Sequence, residues 1–208
     1  MMMKQITTIL IFLLATIKCF GQKEHLEPAR DFKQYEGVLR EYYDHIFPLL
    51  YQGFADKPYA RYTSMPSFSD EYAFSIERIE NKNYVISNCL SENYWYAEKR
   101  DKVKLETKKT EIGDSLYIKI GKLFQLLTEQ IKKPDQDLMG LDGVTYYFSC
   151  VEINGEIKTG ETWSPNDNSL LGRLIKICDK LYSLGNGKNI SQSELETEIE
   201  KTITDMKE

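Results

Sequence analysis

Apolar residues recur every three or four positions in four stretches of the chain, the spacing that places side chains on one face of an α-helix. The first stretch covers residues 28–47, with Pro28 in its first turn and Pro48 ending or kinking it. The second begins at 114 or 115, where an acidic or hydroxyl side chain can cap a helix, and continues to Pro134. The pattern therefore predicts two long amphipathic helices in these regions.

Two further helices are predicted in the last quarter of the chain. In the first, Ser164 can serve as the N-cap, Pro165 as the first helical residue and Gly185 as the end. The second covers about 192–206 and is polar except for one narrow apolar face. The two helices follow each other with a short glycine-containing connection.

Between the helices, apolar and polar residues alternate, which is typical of β-strands. Turn residues at 80–83 and the pair Asn154-Gly155 predict two hairpins. Residues 49–70 have no period and are interpreted as a long connection that aromatic residues hold in place. The predicted strands are 72–79, YVISNCL (84–90), NYWYA (93–97), the exposed or edge strand VKLETKK (103–109), VTYYFSCV (144–151) and the return strand that ends at 163.

The order of elements is helix, three or four strands, helix, hairpin and two helices. Hairpin connections favour antiparallel pairing, so we expect an α+β domain: an antiparallel sheet of about five to six strands with helices on one face. The similar stretches YAFS (72–75) and YYFS (146–149) each open a hairpin that is later followed by a helix. They leave open a weak internal ββα duplication, although three matches in four residues also arise by chance.

The N-terminus has the features of a secretory signal peptide: Lys4, an apolar run over 6–17, and small residues at Cys19 and Gly21. The run is shorter than the roughly 20 residues of a membrane-spanning helix. We expect cleavage before Gln22, which leaves a single α+β domain over 22–208. An acylated Cys19 is the alternative, but the bulky residue before it is unfavourable for lipoprotein processing.

The charge of the mature chain makes some partner classes unlikely. Residues 1–21 contain two lysines and no acid, so 25 Lys and Arg remain against 32 Asp and Glu, a formal charge of −7. An acidic chain without a basic stripe repels phosphate backbones. We therefore expect no nucleic-acid partner, and no integral membrane segment in the mature chain.

Three cysteines remain after cleavage. Cys89 and Cys150 both lie near strand ends and would pair if their strands were neighbours in an oxidising compartment. Cys178 falls on the apolar stripe of a predicted helix, where a free thiol packs as a small hydrophobic group. The alternative is that all three are buried thiols, and the sequence leaves this choice open.

The residues offer little support for catalysis or metal binding. His25 lies near the new N-terminus and His45 on the first helix, and no nucleophile, zinc or phosphate-loop motif is present. The loop 134–143 resembles a calcium loop, with Asp135, Asp137 and Asp142, but lacks further carboxylate ligands. The connection 185–195 has glycines at ligand positions and is better explained by a capping box, Ser191 with Glu194. We expect no catalytic residue, no metal site and no cofactor.

Aromatic residues are the main remaining signal, since the chain contains 14 Tyr and 2 Trp. Trp163 directly precedes the predicted cap at Ser164, so we expect it to be structural, packed on a helix or on the sheet. Tyr94, Trp95 and Tyr96 would point to alternate faces of a strand, which makes this trio the tentative binding residues. The simpler explanation of the aromatic clusters, NYWYA included, is that their rings hold a long connection and a thin sheet in place.

These observations predict a secreted or periplasmic protein that acts by binding and not by catalysis. Its partner would be a protein or a glycan, and an inhibitor-like role toward one enzyme is included in this class. The alternative is a small secreted hydrolase that uses acidic residues, because acids are plentiful and their spacing in the fold is not visible in the sequence. A cleft with converging carboxylates would favour the hydrolase, and an aromatic surface would favour binding.

Overall fold

The structure, a computed structural model, describes residues 25–133 and 142–207. Short 3-10 turns occupy Phe32–Gln34 and Arg100–Lys102. The described strands are β1 (Glu27–Pro28), β2 (Ala60–Pro66), β3 (Tyr72–Ile79), β4 (Lys82–Leu90), β5 (Leu105–Ile112), β6 (Val144–Val151) and β7 (Ile157–Trp163), and the helices are α1 (Gly37–Leu50), α2 (Asp114–Glu129), α3 (Leu170–Gly185) and α4 (Gln192–Asp205).

The strands form one antiparallel sheet in the order β1-β7-β6-β2-β3-β4-β5. The predicted α+β class is confirmed. The sheet has seven strands instead of five or six because β1 pairs with β7 over two residues and β2 lies within the stretch 49–70, which we interpreted as a connection. The order of the remaining elements agrees with the sequence pattern.

Helices cover both faces of the sheet, whereas we expected them on one face. Helices α2, α3 and α4 enclose the larger core, which includes Tyr62 and Phe148. Helix α1 packs on the opposite face, where its buried residues contact Met65 and Tyr147. The side-chain amide nitrogen of Asn88 on β4 donates to the carbonyl of Leu50 at 2.7 Å. This hydrogen bond fixes the end of α1 against that face. We call this face of the sheet the α1 face.

The similar stretches 72–75 and 146–149 lie on either side of β2 at the same register. Phe74 and Phe148 both pair with Tyr62, and their ring centroids lie 5.5 and 5.2 Å from its ring. Strand β4 lies beyond β3 on one side, and β7 lies beyond β6 on the other. A half-turn about β2 places β3–β4 on β6–β7 only with the two faces of the sheet exchanged, whereas Phe74 and Phe148 lie in the same core. Packing around Tyr62 therefore accounts for the shared aromatic residues.

Two predicted helix starts are wrong. Residues 27–28 form β1, and α1 begins only at Gly37, after a 3-10 turn. Pro48 lies inside α1 and does not end it. Ser164 has a φ of +35°, outside the range of an N-cap, and the cap of α3 is Ser169, whose side chain accepts from the backbone N–H of Gly172. The predicted cap of α4 is confirmed, since the Ser191 hydroxyl accepts from the backbone N–H of Glu194.

The three cysteines in the described part of the chain are free thiols. Strands β4 and β6, which carry Cys89 and Cys150, are separated by two strands, so at roughly 4.8 Å per strand spacing the two residues lie at least about 14 Å apart. A disulfide requires Cα atoms within about 7 Å, so the pairing considered from the sequence does not form. Cys178 is fully buried in the larger core, as expected.

The expected signal peptide, residues 1–21, lies outside the described residues. None of the helices between 25 and 133 or between 142 and 207 combines the length and the apolar character that a transmembrane helix requires.

Candidate functional site

A groove of about 300 Å³ opens on the α1 face, beside the first half of α1. Five segments that are distant in sequence form it: Arg30, the first turns of α1, the end of β2, the turn after β4, and the start of β6 with the end of β7. We call it the aromatic groove. Its lining residues are Arg30, Leu39, Tyr42, Tyr43, Met65, Pro66, Ser67, Trp95, Tyr96, Asp142, Gly143, Thr145 and Trp163.

Exposed apolar side chains concentrate at the aromatic groove. Trp95 is 37 % exposed, Trp163 44 %, Tyr96 59 % and Leu39 44 %. Phe68 is 70 % exposed and stacks on Tyr96 with ring centroids 6.2 Å apart. Most large apolar side chains of a soluble domain avoid water, and a contiguous exposed patch marks a contact surface for a partner or ligand.

The floor of the groove is built by three neighbouring strands. Trp163 pairs with Thr145, and Thr145 pairs with Met65, so these side chains lie side by side on the α1 face. Gly143 leaves room for the indole of Trp163, because a Cβ atom at this position would lie 2.8 Å from the indole nitrogen. The backbone N–H of Val144 donates to the Ser164 hydroxyl at 2.8 Å, which fixes the turn beside Trp163.

One wall is the turn 93–96, which hydrogen bonds hold in place. The side chain of Asn93 accepts from the backbone N–H of Tyr96 at 3.2 Å and donates to the carbonyl of Ser69 at 2.6 Å. The guanidinium of Arg100 donates to the carbonyls of Tyr94 and Trp95 at 3.2 and 3.3 Å. Trp95 and Tyr96 are therefore presented by a fixed turn and not by a loose loop, which reduces the entropy lost when a ligand binds.

Glu71, a fully buried carboxylate, connects this wall to α1. Its two oxygens accept from the Tyr42 hydroxyl at 2.8 Å and from the backbone N–H of Tyr94 at 2.9 Å. Burial raises the pKa of Glu71 above its ordinary value, although both hydrogen bonds oppose this shift. The ring of Tyr42 in turn meets Trp95 edge to face, with centroids 5.2 Å apart. Glu71 lies behind the groove lining and acts as a positioning residue.

A second buried carboxylate, Glu161, fixes Arg30 at the opposite wall. Glu161 accepts from the backbone N–H of Arg30 at 3.1 Å, and the Arg30 Nε lies 3.0 Å from its other oxygen. Burial alone would lower the pKa of Arg30, but the hydrogen bond to Tyr35 and the charge of Glu161 raise it. Arg30 therefore stays charged at the rim of the groove, with its charge largely compensated by Glu161.

The structure separates the three residues of the tentative binding trio. Trp95 and Tyr96 line the groove together, whereas Tyr94 is buried behind them with 8 % of its surface exposed. The predicted strand NYWYA is wrong, because residues 94–96 form a turn and no alternation of faces applies. The aromatic content of the sequence identified the trio, but the extended strand that we assumed for it is not formed.

Trp163, which we expected to be structural and packed on a helix or on the sheet, ends β7 with 44 % of its surface exposed. Because α3 begins five residues later than predicted, Trp163 is not followed by a cap that would direct it onto a helix. It instead lines the aromatic groove opposite Trp95 and Tyr96. The polar residues on both sides of it, TGETWSPNDNS over 159–169, were the available signal of an exposed position.

The histidines lie outside the groove lining, and among the described acidic side chains of the two acidic loops Asp142 alone lines the groove. His45 is exposed on α1 and bonds through Nδ1 to the carbonyl of Glu41, and His25 bonds similarly to that of Leu26. In the described part of the chain, no group of three or more ligating side chains could hold a metal ion. Of the acidic loop 134–143, Asp135 and Asp137 lie outside the described residues.

Among the described lining residues, Asp142 is the single carboxylate. The buried Glu71 and Glu161 use their oxygens for the hydrogen bonds given above. Glycoside hydrolysis by the usual route requires two carboxyl groups about 5 to 9.5 Å apart that both reach the substrate. No described feature of the groove therefore favours the hydrolase interpretation over binding.

Comparison of the chain with protein-family models, with curated proteins and with solved structures gives no match.

Proposed function

We propose that this protein is a non-catalytic binding protein, and that a carbohydrate chain occupies its aromatic groove. The observation that carries the proposal is the concentration of exposed aromatic rings, Trp95, Tyr96 and Trp163, around one concave site. Aromatic rings with a polar edge suit ligands that combine an apolar surface with hydrogen-bonding groups. A sugar ring has this character, since its C–H faces are apolar and its rim carries hydroxyls.

The polar part of the lining supports the same ligand class. Ser67, Thr145 and Asp142 line the groove between the aromatic residues and provide hydroxyl and carboxylate oxygens. A few placed polar groups within an apolar lining are typical of sites that orient a small ligand. A protein partner remains the other member of the proposed class and would use the same exposed rings.

The test is a tryptophan fluorescence titration, for which this chain is well suited. It contains two tryptophans, and both line the aromatic groove. Soluble oligosaccharides, such as chito-, cello- and xylo-oligomers and peptidoglycan fragments, are added to the folded protein. We expect at least one series to change the emission saturably.

Substitution of either tryptophan by alanine is expected to weaken this binding about tenfold or more, which corresponds to about 1.4 kcal/mol or more of lost contact. Because more than half of each indole is buried, the free energy of unfolding should fall by about 1 to 3 kcal/mol, less than for a fully buried tryptophan. Trp163→Phe should retain most of the affinity, because the ring face remains. Binding to each variant is measured by calorimetry.

The control is Ile153→Ala, which removes a fully exposed apolar side chain at the β6–β7 turn, and it should leave binding unchanged. If no oligosaccharide binds but a cell-envelope extract yields a protein whose capture requires Trp95 and Trp163, the partner is a protein. If a ligand binds equally well to both alanine variants, the groove is not the binding site.

We propose further that the protein acts outside the cytoplasm, in the periplasm or the extracellular medium. The support is the sequence of residues 1–21, with its early lysine and short apolar run. N-terminal sequencing of the protein from its native source is expected to begin at Gln22 or within a few residues of it. An unprocessed chain in the cytoplasmic fraction would contradict this location.

A further inference from the structure

A second cavity, of about 280 Å³, lies on the α1 face at the other end of α1. Its walls are mainly aromatic and aliphatic, and it opens beside Ile157, which is 49 % exposed. We call it the Arg61 cavity, after the charged residue in its lining. The lining residues are Ala29, Phe32, Phe47, Tyr51, Arg61, Tyr147, Ser149, Ile157 and Thr159.

Arg61 is an unusual residue for the middle of a sheet. It lies on β2, between β6 and β3, and only 8 % of its surface is exposed. Its Cζ lies 4.4 Å from the ring centroid of Tyr51 and 5.5 Å from that of Phe54. One terminal nitrogen donates to the carbonyl of Ala55. The ring faces and this carbonyl hold the guanidinium in place without neutralising its charge.

The hydrogen-bonding capacity of Arg61 is not used up by the protein. Its Nε is buried and has no hydrogen-bond partner within the described part of the chain. None of the described acidic side chains forms an ion pair with it, and Glu77 and Asp56 act on it only through their charge. Burial lowers the pKa of Arg61, because a charged guanidinium loses its hydration there. A buried cation without an anion is costly, so most are paired.

Two hydroxyl groups lie beside Arg61 on the neighbouring strands of the sheet. Arg61 pairs in register with Ser149, and Ser149 pairs with Thr159, so the three side chains form one row on the α1 face. The Ser149 and Thr159 hydroxyl oxygens lie 2.9 Å apart. All three residues line the cavity. Together they offer one positive charge and two hydroxyls at the base of apolar walls.

We infer that the Arg61 cavity binds a small organic monocarboxylate with an aromatic body. The guanidinium of Arg61 matches the geometry of a carboxylate, to which it can donate two parallel hydrogen bonds. The single positive charge of Arg61 is neutralised by a monoanion. A hydrated dianion such as phosphate has no apolar surface to pack against the rings of Phe32, Phe47 and Tyr147. The volume lies at the lower limit for small-molecule sites, which restricts the ligand to a single ring or a similar body.

The experiment uses benzoate as the probe and benzyl alcohol as its uncharged counterpart. Binding to the folded full-length mature protein is followed by calorimetry and by the ¹⁵N–¹H resonance of the Arg61 Nε. We expect saturable binding of benzoate with a shift of this resonance, and binding of benzyl alcohol at least tenfold weaker, the effect of losing a charge-assisted hydrogen bond. Benzoate should leave tryptophan fluorescence unchanged, because both tryptophans line the other groove.

Two variants complete the test. Arg61→Met keeps an unbranched apolar chain and removes the charge, and we expect it to weaken benzoate binding at least tenfold. Arg78→Met is the matched control, because Arg78 also lies over a tyrosine ring, Tyr117 at 4.8 Å, but outside the cavity. It should leave the affinity unchanged.

The inference is overturned if wild-type protein shows no saturable shift at Arg61, or if benzoate and benzyl alcohol bind equally well. It is also overturned if Arg61→Met folds and binds benzoate as wild type does. Should this variant fail to fold, the comparison of the two probes on the wild-type protein still decides the question.

Discussion

Replacement of Phe148 by alanine is expected to lower the free energy of unfolding by about 3 to 5 kcal/mol, the range for removal of a buried phenylalanine side chain. Phe148 is fully buried on β6, near the centre of the sheet. Its ring contacts Tyr62 on β2 and Phe124 on α2, with centroids 5.2 and 6.0 Å apart. Its loss leaves a cavity between the sheet and the helical layer, which close packing on both sides prevents from collapsing.

The measurement is chemical denaturation at neutral pH, with Phe68→Ala as the control. Phe68 has the same side chain but is 70 % exposed beside the aromatic groove, so its removal should change the free energy of unfolding by no more than about 0.5 kcal/mol. A loss below about 1.5 kcal/mol for Phe148→Ala would show that the β6 core is not packed as described.

The elements that the sequence predicted correctly have strong local signals. The β3–β4 hairpin has its turn at Glu80 and Asn81, which both adopt positive φ, and the β6–β7 turn places Gly155 at a φ of +81°. Such turns require particular residues within two or three positions. The apolar stripes of α2 and α4 are equally local, because a single face of each helix is buried.

Strand β2 was missed because both of its faces are covered. Tyr62 contacts the larger core, while Arg61, Thr63 and Met65 are buried under α1 and its connections. A strand buried on both faces shows no alternation between apolar and polar residues. Helix α1 covers the second face of β2 and so removes the alternation. Its position there depends on contacts between segments that are distant in the sequence.

The aromatic groove could be predicted only in part for a related reason. Its residues come from positions 30 to 163, and the sequence alone does not show which of the exposed rings meet. Trp95 was identified because it stands in an aromatic cluster. Trp163 was misassigned because the predicted cap at Ser164 depends on a backbone conformation, φ +35°, that the residue type does not reveal.

Replacement of Glu71 by alanine is expected to lower the free energy of unfolding by about 2 to 4 kcal/mol. The Tyr42 hydroxyl and the Tyr94 backbone N–H would lose their acceptor while remaining buried, at about 1 to 3 kcal/mol for each donor. The gain from no longer burying a carboxylate offsets part of this loss. Ligand binding in the aromatic groove should weaken as well, because Glu71 fixes the turn that presents Trp95 and Tyr96.

The isosteric variant Glu71→Gln separates the charge of this residue from its shape. Burial disfavours the charged carboxylate, so the pKa of Glu71 in the folded protein lies above its ordinary value of 4.5, and the folded state takes up a proton before the unfolded state does. As the pH falls through the folded-state pKa toward 4.5, wild type should therefore gain stability relative to Glu71→Gln, opposite to the behaviour of an ion-paired carboxylate. Denaturant melts of both proteins between pH 8 and pH 4 measure this difference, with Glu111→Gln on the exposed strand β5 as a control that lacks the burial. A difference that stays constant with pH, or that moves against the wild type on acidification, would mean that Glu71 is not buried between α1 and the turn 93–96 as described.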